Sequence, residues 1–152
     1  MNRRELKQEV VSILKLGELE YIFQRAGKLE AKKIVHPLFS CLCHPEEKVR
    51  WHAVSLFGFV MDRIVKYDME AARIIMRRFL WMLNDESGGI GWGVPEAMGE
   101  VMFKSTPLAN EYLHMLVSYT SDDGPGVFED GNLIEHPVLQ QGVLWGIHRV
   151  AG

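Results

Sequence analysis

Three short stretches of the chain carry side chains that could do chemistry. The first holds Arg50, Trp51, His52 and Ser55, the second Trp92, Glu96 and Glu100, and the third Glu135, His136, Gln140 and Gln141. Glu96 and Glu100 stand four residues apart, which on a helix puts both carboxylates on one face, a turn from each other. Such a pair can serve as general acid and base, and Trp92 offers a flat ring on which an aromatic or apolar group would stack. A nucleophile is not indicated. Ser55 has no glycine-flanked elbow around it, and the apolar neighbours of Cys41 and Cys43 predict packed, reduced thiols. No catalytic residue is therefore assigned.

The same residues read equally well as a recognition surface. Arg50, Trp51, His52, Trp92, Glu96, Glu100, His136 and Gln140 would form a ridge of aromatic, charged, imidazole and amide groups. Such a ridge suits a peptide or helix, with the two Trp residues as anchors and the polar groups setting register. Trp51 and Trp92 also fit a plainer role, as core residues between neighbouring units.

Other features point less far. In Gly88-Gly89-Ile90-Gly91-Trp92-Gly93 four glycines precede a helix start. Backbone N–H groups there could be placed round an anion, but a phosphate loop's Lys and Ser/Thr are missing, and a turn needing positive φ is the simpler expectation. Cys41, Cys43 and His44 are close in sequence, yet no second cluster has zinc spacing, and His52, His114, His136 and His148 are scattered. Neither a metal nor a cofactor is expected. The formal net charge of -3 argues against a nucleic-acid partner. Arg3, Arg4 and Lys7, and again Arg73, Arg77 and Arg78, read as solvated helix faces. No apolar run approaches the ~18 residues of a membrane span, and the N-terminal stretch is soon interrupted by Lys15, Glu18 and Glu20. The expected compartment is the cytoplasm.

What must position these groups is a set of helices. Apolar residues recur with a period near 3.6 throughout, and no stretch alternates for long with period 2. Of the 152 residues, 47% are hydrophobic and 24% charged, as in a single soluble globular domain. The pattern predicts helices over 3–16, 18–25, 29–43, 46–65, 68–83, 94–103, 106–119 and from 136 or 137 to 150. Pro37 is expected to bend or divide the third. Asp68 is a predicted N-cap, and Thr106-Pro107 a predicted cap followed by a helix-starting proline. Inward stripes are Leu6, Val10, Ile13 and Leu14; Val49, Ala53, Leu56, Phe57 and Val60; Ala72, Ile75, Phe79 and Met82; Leu108, Tyr112, Met115 and Leu116; and Val138, Val143, Ile147 and Val150. The long loop of residues 121–132, with four acidic residues and three glycines, reads as a functional loop or an insertion.

The helices also repeat. KVRWHAVSLFGFV (48–60) and GGIGWGVPEAMGEV (88–101) both set a Gly seven residues after a Trp, and HPVLQQGVLWGIHRV (136–150) echoes them with Leu139 and Gly146. Gly58, Gly99 and Gly146 recur at 41 and 47 residues, close to the period of helical solenoids. Glycine within a helix costs roughly 1 kcal/mol relative to alanine, so three at equivalent places imply close approach of neighbouring backbones. Pro37 in one helix, the His44-Pro45-Glu46-Glu47 turn, and Val49-Arg50 after Lys48 resemble the HEAT and armadillo-like superfamily of helical repeats. Gly89-Ile90-Gly91 and Glu135-His136-Pro137 depart from that pattern in the later units. The resemblance implies a single all-α domain over 1–152, an α-α superhelix built as a right-handed HEAT-like solenoid fragment. A cap over 1–27 would precede helical pairs at 29–65, 68–104 and 106–150.

Members of that superfamily mostly bind proteins along a concave face. The implied function is a protein-binding or scaffold module whose partner is another protein or peptide, contacted through the inner-helix face. Some relatives resemble glycosylases for alkylated DNA bases, and others are lyases or chaperones for bilins. The alternative is therefore a ligand-binding or enzymatic variant with its site around Trp92, Glu96 and His136, where a carboxylate such as Glu96 or Asp85 would act. Eight methionines and four tryptophans would also suit a structural subunit of a larger assembly.

Overall fold

The computed structural model describes residues 1–84, 87–121 and 133–152. Asp85, the acidic loop from residue 122 to 132 and the roles considered for them lie outside the described residues. Among the described residues there are eight helices and no strand: α1 (Arg3–Leu14), α2 (Leu19–Ala26), α3 (Ala31–Cys41), α4 (Glu47–Tyr67), α5 (Met69–Met82), α6 (Val94–Lys104), α7 (Thr106–Ser118) and α8 (Pro137–Ala151). None of them is long and apolar enough to cross a membrane.

Local chemistry sets several of the ends. Asn2 and Glu5 form a capping box at α1, with the Asn2 carboxamide oxygen accepting from the Glu5 N–H at 2.8 Å. Asp68 caps α5 as expected, accepting from the Ala71 N–H at 3.0 Å. At α7 the cap lies one residue before the expected one. Ser105 accepts from the Leu108 N–H at 3.4 Å, and Thr106 opens the helix ahead of Pro107. Pro37 lies within α3 and does not divide it.

Packing follows the order of the chain. α4 lies against α6 and α6 against α8, while α3 packs on α4, α5 on α4 and α6, and α7 on α6 and α8. α1 packs on α2, α3 and α4, and α2 on α4. Rings from three successive helices meet in the core: Phe39, Phe57 and Phe79 have centroids 4.8–5.1 Å apart. Each is buried, and burial of such a side chain contributes roughly 1.5–3 kcal/mol. α6 has helices on several sides and buries almost every residue from Val94 to Met102.

The recurring glycines explain how closely these helices lie. A Cβ on Gly146 would fall 2.7 Å from the Pro95 carbonyl oxygen, and one on Gly99 would strike the backbone of Gly146. Those two allow direct backbone contact between α6 and α8. Gly58 differs, because its missing Cβ makes room for the Glu100 side chain, whose Cγ would lie 2.9 Å away. Some expected core positions are also placed differently. Met76 rather than Ile75 is fully buried on α5, and Val138 is 51% exposed instead of facing inward.

Candidate functional site

The starts of α4, α6 and α8 come together around one cleft of about 390 Å³. The turn after α3 supplies Leu42 and Cys43, and the first half of α4 supplies Arg50, Trp51 and Val54. Trp92 and Gly93 come from the turn before α6, Glu96 from its first turn, and Val138 from the start of α8. Arg50, Trp51 and Val54 reach the same cleft because Val54 lies four residues from Arg50 and three from Trp51, spacings that share a side of a helix. The glycine-rich stretch that delivers Trp92 is a tight turn. Gly88, Gly91 and Gly93 have φ of 79°, 66° and 73°, a region costly for residues with a Cβ. Gly93 also caps α6 with its Cα pressed towards Leu42, where a Cβ would meet the Leu42 carbonyl oxygen at 3.1 Å.

The two indoles are surface groups with braced rings. Trp51 is 39% and Trp92 37% exposed. Trp51 packs against Trp145 of α8 at 5.1 Å between centroids, and Trp92 meets His136 edge to face at 5.1 Å and 83°. Neither belongs to the buried core between helices.

Glu96 is half-buried, and its carboxylate lies over Gly142 of α8, so closely that a Cβ there would collide with it. Burial pushes its carboxyl above the ordinary value, opposed by a hydrogen bond from its own backbone N–H. Among the described residues it forms no ion pair. Nη1 of Arg50, the nearby cation of the lining, donates to the carbonyl oxygens of His44 at 2.8 Å and Pro45 at 3.1 Å. Gly142 had no role in the sequence reading. Its signal was the four-residue spacing from Gly146, which gives both the same face of α8.

Other expected site residues are placed elsewhere. Glu100 is 5% exposed and receives two hydrogen bonds from Arg149, at 2.7 and 3.2 Å, while the Arg149 guanidinium also lies 3.8 Å from the Phe103 ring centre. Its carboxylate therefore ties α6 to α8 instead of facing a partner. A ring nitrogen of His52 lies 2.7 Å from the Leu14 carbonyl oxygen and links α4 to the end of α1. His136 and Glu135 line a different groove, of about 830 Å³, with Trp81, Met115 and Tyr119. Gln140 is half-buried and lines neither opening. The trio Trp92, Glu96 and His136 is thus divided between two openings, although Trp92 touches His136.

The two thiols are unlike each other, contrary to the expectation that both are packed. Cys41 is buried, and desolvation pushes its thiol up to about 11. Cys43 is exposed on the cleft, with its thiol donating weakly to the Ser40 carbonyl oxygen at 3.4 Å. Among the described residues no group of three His, Cys, Asp or Glu side chains could hold a metal ion. Arg73 and Arg77 are tied to Glu111 and Glu70 on the helix surface, and Arg78 lies over the Phe39 ring.

These features define an all-α protein with an aromatic, partly apolar cleft at the starts of α4, α6 and α8. No family model matches the chain, and no curated protein and no solved structure is a significant match to it.

Proposed function

We propose that the chain is a small HEAT-like helical-repeat module that binds another protein through the cleft at the starts of α4, α6 and α8. The observation that carries this reading is the pair of half-exposed indoles, Trp51 and Trp92, delivered to one cleft by successive inner helices. Tryptophan is among the residue types enriched as interface anchors, and Val138, exposed at the start of α8, supplies apolar surface beside it. The sequential packing of α4, α6 and α8, with α3, α5 and α7 against them, supports the repeat architecture. An exposed free cysteine fits a reducing compartment such as the cytoplasm.

The test is affinity capture followed by a titration with the purified partner. Wild type should retain a stoichiometric protein that a folded Trp92→Ala, Glu96→Ala double variant loses. A partner held equally by both would place the contact elsewhere and overturn the reading. An enzymatic variant around Trp92, Glu96 and His136 has one observation in its favour, the desolvated carboxylate of Glu96. The division of those three residues between two grooves weighs against it.

A further inference from the structure

We propose that the Trp51–Trp92–Glu96 cleft takes an alkylammonium group, the side chain of a lysine on the partner. This deepens, and rests on, the reading of the cleft as the contact face. Glu96 presents a carboxylate that forms no ion pair among the described residues, although Asp68, Glu70, Glu100 and Glu111 each have one. It is half-buried, so water compensates its charge only in part. A cation arriving in the cleft would complete it.

The walls favour the same charge. An indole face carries negative electrostatic potential and attracts ammonium groups, and two indoles line this cleft. Both are held by neighbouring rings, Trp51 by Trp145 and Trp92 by His136, which limits the ordering that binding would require. Val138, exposed on the lining, offers apolar contact for the methylene stem of a lysine. Arg50 is the opposing charge on the lining, and its Nη1 is spent on two carbonyl oxygens of the preceding turn. A cavity of about 390 Å³ accommodates one such side chain with part of its backbone.

The experiment titrates the full chain with three capped amino acids, Nα-acetyl-lysine, Nα-acetyl-norleucine and Nα-acetyl-glutamate, each as the N-methylamide. The readout is the indole N–H resonances of Trp51 and Trp92, assigned from Trp→Phe variants. The lysine probe should shift both signals to saturation, and the norleucine probe should bind several-fold more weakly. Glu96→Gln should weaken the lysine probe about tenfold, in the range of a charge-assisted hydrogen bond. Trp51→Phe, which keeps an aromatic wall, should weaken it less. Equal binding of norleucine, preference for glutamate, unshifted indoles, or a Glu96→Gln variant that binds lysine unchanged would each overturn the proposal. Failure here together with Trp92-dependent capture of a protein partner would leave the module reading standing. Lysine binding without any protein partner would remove the module reading and keep the cation site.

Discussion

Gly99 of α6 and Gly146 of α8 face each other with no side chain between them, so the two helices touch through their backbones. Alanine at either position must push the helices apart. Its better helix propensity, worth about 1 kcal/mol, is outweighed by overpacking of about 1–3 kcal/mol or more. Gly99→Ala and Gly146→Ala should each lower stability by about 2 kcal/mol, read as a lower urea midpoint. Gly17→Ala, with nothing within 4 Å of the added carbon, should stay within about 0.5 kcal/mol of wild type. Wild-type midpoints for both seam variants would show that α6 and α8 are not in contact there.

Glu100 and Arg149 join the same two helices by charge. The carboxylate is nearly buried, whereas the Arg149 side chain is 36% exposed, which reduces the gain from pairing. A double-mutant cycle of Glu100→Gln with Arg149→Met should give a coupling energy of about 1–2 kcal/mol. Removal of the cation over the Phe103 ring is common to both arms and cancels. Additive effects would mean that the pair contributes nothing to holding α6 against α8.

Glu96 makes stability depend on pH in the direction opposite to a paired carboxylate. Its folded-state pKa is raised above the ordinary 4.5, so the folded protein disfavours its ionised form. That contribution is favourable below 4.5 and is lost as pH rises through the folded value. Glu96→Gln imitates the neutral acid. The variant should melt above wild type at pH 7, and the difference should close at pH values below 4.5. A constant offset at both would separate the effect from ionisation.

The two cysteines should react at different rates. With iodoacetamide at pH 8, Cys43 should be alkylated in the native protein, while Cys41, buried and with its thiol raised to about 11, should react only after unfolding. Both cysteines lie on one tryptic peptide, residues 34–48, and its fragment ions read the two sites separately by mass spectrometry. Equal labelling under native conditions would contradict the packing of Leu42 and Cys41 against the core.

Much of this arrangement was legible because helices announce themselves locally. Periodicity located all eight to within a few residues, Asp68 marked a cap, and the spacing of Gly99 and Gly146 foretold a close helix crossing. What escaped was decided by how helices cross. Glu96 and Glu100 do lie along one side of α6, but four residues of axial rise leave one beside an open cleft and seal the other against Arg149. Ser105 and Thr106 are both cap-forming residues, and only the path of the chain chose between them. Val138 and Cys43 carry apolar or thiol side chains near helix ends, where packing simply stops short of covering them. Gly142 drew no notice because its function is to be empty space for a carboxylate from another helix.

The enclosure of α6 has a consequence for how the protein comes into being. As the polypeptide leaves a ribosome, α4 and α5 are available to receive α6, yet its Gly99 side stays uncovered until α8 has cleared the exit tunnel. Val138 reaches the cleft at the same late moment, and so does the surface over which the Glu96 carboxylate lies. The cleft is therefore complete only after α8 has been synthesised, and a nascent chain lacks its Val138 wall before then.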